Sequence, residues 1–139
     1  MGMRILNRKI SREYELVEKI EAGISLNGPE VKSISEGKAT IDDAFAKITN
    51  SEVWLYNFHV HPYKFADTSK INSRRPRKLL LHRKEILNLE AKIQQKKLTL
   101  VPTMCYNTGG KIKIELALGR RKKIYEKRRD SRKKDSIWG

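Results

Sequence analysis

The chain has 139 residues, enough for one domain with an ordinary core and a short tail. Its formal net charge of +15 sits wholly in the second half: residues 1–69 hold 9 Lys/Arg and 10 Asp/Glu, whereas residues 70–139 hold 22 and 6. Such a field repels itself unless a polyanion accepts it, and no apolar run approaches the ~18 residues of a membrane span, so composition points to nucleic acid and away from a membrane or a secretory leader. A soluble, cytoplasmic protein is expected.

In chain order, Tyr14, Leu16, Ile20, Ala22, Ile24 and Leu26 fall on even positions with glutamates between them, which predicts a half-buried strand with Gly23 as a place to bend. The segment NGPEVKSISEG predicts a two-turn helix, with Pro29 in its first turn and Gly37 as its stop. Residues 43–49 and 52–60 are β-rich and joined by Asn50-Ser51, the pattern of a hairpin in which Trp54, Tyr56 and Phe58 share a face.

Residues 61–78, with two prolines and no periodicity, predict a long loop rich in Arg towards its end. Ile86, Leu89, Glu90 and Ile93 keep helical spacing through RKEILNLEAKIQQ. Leu98, Leu100, Pro102, Met104 and Tyr106 alternate, NTGG supplies a turn, and Ile112, Ile114, Leu116 and Leu118 alternate again, so a second hairpin is expected, with an edge or a bulge at Pro102. Five or six short strands with flanking helices suggest a small β-barrel or sandwich.

Residues 120–139 carry ten Lys/Arg against three acids and almost no apolar side chains. They cannot build a core, so a domain over 1–119 and a basic tail over 120–139, disordered when free and able to fold on an anion, are expected.

Little in the chain suggests catalysis. His59 and His61 could share a metal, but no further ligands complete a site, and the acids Glu13, Glu15, Glu21, Glu30, Asp42 and Asp43 have no spacing suited to acid/base chemistry. There is no phosphate loop or nucleophile elbow; no enzyme, metal or cofactor is expected. The single cysteine, Cys105, lies within an apolar alternation and reads as a small core residue. His82 reads as a helix-start or RNA-contacting residue.

The stretch RRPRKLLLHRKE concentrates Arg74, Arg75, Arg77 and Lys78 ahead of three leucines. The leucines are expected to enter the fold and the arginines to stay outside, where they meet phosphates. No zinc-finger, KH or RNP motif is present, so recognition by RNA shape, loops and stacked bases fits best. A basic structural protein of the ribosome, holding rRNA by charge alone, fits the same features.

Taken in order, NRKISREYE, EAGISLNGPEVKSISEGKATIDDAFAKI, EVWLYNFHVHPY, RPRKLLLHRKEI, LTLVPTMCY and KIKIELALGRRKKIYEKR closely resemble the SsrA-binding protein (SmpB) family, from about Asn7 to Arg129. The resemblance implies a closed antiparallel β-barrel related to the OB fold, acting without catalysis as an adaptor for transfer-messenger RNA in ribosome rescue. The barrel would grip the D-loop and elbow of the tRNA-like domain, and the tail would turn helical in the empty mRNA channel next to the small-subunit decoding site. Elongation factor Tu and alanyl-tRNA synthetase would be engaged only through the RNA, and the protein would be a monomer.

By the same resemblance, RNA-binding roles fall on Glu21, Leu80 and Lys113, beside the basic Arg74, Arg75, Arg77 and Lys78. Leu80 is equally a candidate for core packing, and Glu21 for a solvated strand face. Ribosome-binding roles fall on Arg120, Arg121, Lys122, Lys123, Tyr125, Glu126, Lys127 and Arg128, where Glu126 stands in place of the Asp frequent in the family and Tyr125 in place of a His found in some members. The sequence stops at Gly139, sooner than the resemblance suggests: if the tail continues beyond it, this stretch is expected to keep RNA binding without rescue, and if it is the natural end, Ile137 and Trp138 form a late apolar pair suited to anchoring the tail tip.

Overall fold

The computed structural model describes residues 3–62 and 73–123, so the middle of the long loop and the tail from 124 onward lie outside the described residues. Chain order is β1 (Arg4–Leu6), α1 (Ile10–Glu13), β2 (Tyr14–Ile24), α2 (Gly28–Ser35), β3 (Ala39–Thr40), β4 (Phe45–Thr49), β5 (Glu52–Tyr56), β6 (His59–Val60), β7 (Arg77–Leu80), α3 (Arg83–Lys96), β8 (Thr99–Thr108) and β9 (Lys111–Arg121). Seven strands form one antiparallel sheet in the order β1-β8-β9-β2-β7-β5-β4, and β3 pairs with β6 apart from it. The fold is mainly β and antiparallel, the class that the alternating segments predict.

Local chemistry accounts for the helices. Asn27 caps α2 by accepting from the Glu30 N–H at 2.9 Å, while the Glu30 carboxylate accepts from the Asn27 N–H at 3.1 Å. Pro29 lies in the first turn, and Gly37, at φ +76°, takes the left-handed conformation just past the end. In α3 the Glu85 carboxylate accepts from the His82 N–H at 2.9 Å, and Lys97 closes the helix at φ +52°.

One face of the sheet and one stripe of each longer helix enclose the core. Ile34 of α2, Val53 and Leu55 of β5, and Ile114 and Leu116 of β9 have no exposed surface, and Ile86 and Leu89 bring α3 onto them. Each such side chain contributes roughly 1.5–3 kcal/mol by leaving water. Cys105 belongs to this core, and burial pushes its thiol up to about 12.

Several expectations are corrected. The irregularity in β2 lies between Leu16 and Glu18, not at Gly23; it leaves Val17 exposed, and Gly23 pairs on both sides of its strand. The predicted strand 52–60 breaks at Asn57, whose φ of +59° rotates the chain, so Phe58 enters the core while Trp54 and Tyr56 stay outside. In β8 the register shifts between Pro102 and Met104, next to the proline as expected, and this reverses the alternation: Leu98, Leu100 and Pro102 face in before it, and Cys105 faces in after it. Met104 and Tyr106 thereby move to the outer face.

The longer strand β9 runs to Arg121, two residues into the segment predicted as tail, because Arg120 and Arg121 pair with Glu15 and Tyr14 of β2. Arg77 is inside, with no exposed surface, contrary to the expectation that the arginines of RRPRK remain outside. Because β7 starts at Arg77, its alternation sends Arg77 and Leu79 inward and Lys78 and Leu80 outward.

Candidate nucleic-acid interface

Strand register lines up five residues across the outer face of the sheet: Arg4 of β1, Tyr106 of β8, Lys113 of β9, Gly23 of β2 and Leu80 of β7. Leu80 is 52% exposed while Leu79 is 1% exposed, so core packing belongs to Leu79 and Leu80 stands at the surface. A Cβ at Gly23 would lie 3.2 Å from the Leu80 Cβ, so the glycine gives Leu80 room to lie across the β2 backbone.

Glu21, two residues before Gly23 on the same face, is exposed and accepts a hydrogen bond from the Tyr106 hydroxyl. Desolvation, then the Glu21 carboxylate, raise the Tyr106 pKa, so the phenol remains a donor. Glu115 lies opposite Glu21 and accepts from the Thr103 hydroxyl at 2.5 Å. Two oriented carboxylates within a cationic surface repel phosphate and accept from base or ribose donors, whereas Lys113 attracts phosphate.

Glu21, Gly23, Leu80 and Lys113 line one groove of about 680 Å³, with Glu21, Lys111 and Lys113 on its polar wall and Leu26, Val31 and Leu80 on its apolar wall. Glu21, Leu80 and Lys113, the three positions to which the resemblance assigns RNA contact, are therefore brought together by strands separated by tens of residues. His82 caps α3 and also lines the groove. Arg4, Tyr106 and Lys111 did not stand out in the sequence; the outward half of the β9 alternation could have found Lys111, whereas the phase change in β8 hid Tyr106 and the shortness of β1 hid Arg4.

The basic residues preceding the leucines separate into different roles. Arg77 donates to Glu30 Oε2 from Nε at 2.7 Å and to the Phe58 carbonyl at 2.6 Å, and its guanidinium carbon lies 5.7 Å from the centre of the Phe58 ring. Arg75 donates to both Glu30 oxygens, at 3.0 and 2.5 Å. Burial opposes the Glu30 charge, but the hydrogen bonds from Arg75, the Asn27 N–H and Arg77 outweigh it and hold the carboxyl below its ordinary pKa. Arg77 is thus committed internally, and its expected phosphate contact is replaced by a structural one.

The remaining two reach the surface: Arg74 donates to Asn57 Oδ1 at 2.7 Å, and Lys78 pairs with Glu52 at 2.6 Å. Beneath them, His59 and His61 lie with ring centres 4.6 Å apart, and burial, then His61, Arg74 and Arg77, lower the His59 pKa.

At the start of the predicted tail, Arg120 pairs with Glu15 at 2.5 Å, and Lys122 is tied through its N–H to the Glu13 carbonyl at 2.8 Å and through Nζ to the Ser11 carbonyl at 2.9 Å. Arg121 and Lys123 are exposed. Tyr125, Glu126, Lys127, Arg128, Ile137 and Trp138 lie outside the described residues.

The family model described as SmpB protein matches residues 4–137. The chain is 48% identical over 130 residues to the SsrA-binding protein of Carboxydothermus hydrogenoformans, covering 94% of this chain and 87% of that one. It is likewise 48% identical to the SsrA-binding protein of Mycolicibacterium vanbaalenii, covering 94% of this chain and 79% of the relative. A solved structure described as "tmRNA-SmpB: a journey to the center of the bacterial ribosome" contains a chain with a TM-score of 0.70 and 44% identity, covering 94% of this chain and 92% of that one.

Proposed function

Since this chain belongs to the SmpB family of SsrA-binding proteins, we propose that it binds the tRNA-like domain of transfer-messenger RNA and delivers that RNA to stalled ribosomes for trans-translation. It acts as an adaptor, supplying shape and charge without a reaction of its own. The observation that carries this reading is the convergence of Glu21, Leu80 and Lys113 on one groove, which offers phosphate attraction, an apolar wall and fixed acceptors to a folded RNA loop.

In this reading the sheet acts as a closed barrel of the OB type, an idea supported by the way β4 and the start of β8 together line one cleft with α3. The segment over 120–139 is the ribosome-binding part, with Arg120 to Lys123 held at the end of β9 and the stretch beyond them, carrying Tyr125, Glu126, Lys127, Arg128, Ile137 and Trp138, becoming helical in the empty mRNA channel near the decoding site. Elongation factor Tu and alanyl-tRNA synthetase are reached through the RNA. The protein works in the cytoplasm as a monomer.

The test is a gel-shift competition in which the labelled tRNA-like domain is challenged with bulk tRNA, using the full chain and a version ending at Lys123, just past β9. Preference for the tRNA-like domain in both, with rescue of stalled ribosomes only by the full chain, is the expected result; equal affinity for bulk tRNA would refute the reading. A structural ribosomal protein holding rRNA by charge alone predicts instead that Glu21→Ala leaves discrimination untouched.

A further inference from the structure

Outside the groove, the same outer face carries a second cluster, whose aromatic residues the proposed contacts with the tRNA-like domain do not use. In β4 and β5, Phe45 pairs in register with Tyr56, and Lys47 with Trp54; on the far side of Trp54 lies Lys78 of β7. The intervening residues Ala46, Ile48, Val53 and Leu55 point into the core, so all five point out. The Phe45 and Tyr56 rings stack, with centres 5.3 Å apart and planes inclined by 14°, and Phe45 is 43% exposed. Lys47 Nζ lies 5.6 Å from the centre of the Phe45 ring.

This stacked pair, with Phe45 exposed and Tyr56 half-buried on the outer face of the sheet, leaves apolar surface in water. Its surroundings are cationic: Lys47 lies against it, Lys78 flanks Trp54 while paired with Glu52, and Asn57 holds Arg74 at the end beyond Tyr56. A protein partner would favour a patch without a lysine in its middle, because lysine is depleted from the centres of protein interfaces. Aromatic faces interleaved with lysines are the arrangement that holds unpaired bases, with rings stacking on bases and ammonium groups meeting the linking phosphates.

We propose that the outer face of β4 and β5 is a second RNA contact, taking unpaired bases of a single-stranded segment on Phe45, Tyr56 and Trp54, with Lys47 and Lys78 on its phosphates. The site is separate from the groove and adjoins it through β7, where Lys78 and Leu80 stand two residues apart on one face. A single RNA can thus be held at a folded loop on one side of β7 and at an unpaired segment on the other.

The chain has two tryptophans, so in a Trp138→Phe background Trp54 reports on this face alone. The full chain in that background is titrated with a short oligoadenylate and, separately, with a fully paired RNA hairpin, at several salt concentrations. Expected results are quenching of Trp54 emission by the oligoadenylate, a loss of its affinity of about tenfold in Phe45→Ser, and an unchanged salt slope in that variant because stacking releases no counterions. Lys47→Gln, remote from the core, lowers the salt slope by about one; thermal melts establish that both variants are folded. Unchanged Trp54 emission at saturation, an affinity in Phe45→Ser equal to the parent's, or an equal loss for paired and unpaired RNA would each overturn the proposal.

Discussion

Arg77 has no exposed surface and Glu30 is 4% exposed, so each charge depends on the other. The pair ties the cap of α2 to the first residue of β7, and Arg77 reaches on to the carbonyls of Phe58 and Ser73, fixing both ends of the segment that leads into the leucines. Removing the carboxylate strands a guanidinium in the interior. Glu30→Ala is expected to cost about 3–5 kcal/mol, read from the midpoint of urea unfolding. The sequence could not show this, because RRPRK reads as a uniform basic run until the start of the strand assigns a face to each residue. Gly23→Ala tests a different coupling: its Cβ would press on Leu80 at 3.2 Å, so affinity for the tRNA-like domain is expected to fall severalfold with little change in melting temperature. A loss of stability with unchanged affinity would contradict the role given to Leu80.

Hairpins and helices were legible where periodicity and punctuation agreed. The α2 segment announces itself through Pro29 and Gly37, and α3 through Ile86, Leu89 and Ile93, since helix punctuation and helical spacing are written locally. The strands β1, β3 and β6 have three, two and two residues, too few for alternation to register, and their pairing depends on distant partners. In β8 the alternation is present but changes phase at its bulge, which no local pattern reveals. The turn between β4 and β5 carries a residual cost: Asn50 and Ser51 have φ of +51° and +61°, the pattern of a type I′ turn, and Ser51 lacks the freedom that the second position favours. Ser51→Gly is expected to stabilise the protein by about 0.5–1 kcal/mol, visible as a higher melting temperature with RNA binding preserved.

Across the whole molecule, charge is distributed to serve a partner more than the fold. The excess of the second half falls on β7, α3, β9 and the residues after it, while many first-half acids answer it locally, as Glu15 does for Arg120 and Glu18 for Lys92. The composition made that asymmetry visible, and the family likeness singled out Glu21, Leu80 and Lys113; the division of RRPRK between interior and surface required the tertiary structure. Burial first, and the cationic neighbours after it, set the response of one histidine to acid. His59 has a pKa lowered from 6.5, by burial and then by His61, Arg74 and Arg77, so the unfolded chain takes the proton first. Its contribution to stability is complete above pH 6.5 and is lost as the pH falls below that value. His59→Gln is expected to flatten the decline in melting temperature just below pH 6.5, and an unchanged pH profile would contradict the assignment.

The longest strand pairing also has a mechanical meaning. Strand β9 lies between β2 and β8 along nearly its whole length, and Lys122 is fastened to Glu13 and Ser11 just beyond it. A tension applied to the chain past Lys123 and directed along β9 therefore loads two ladders of hydrogen bonds in shear, all at once, instead of peeling them one at a time. An adaptor of the proposed kind, pulled from its C-terminal side, would keep the shape of the groove that Glu21, Leu80 and Lys113 line.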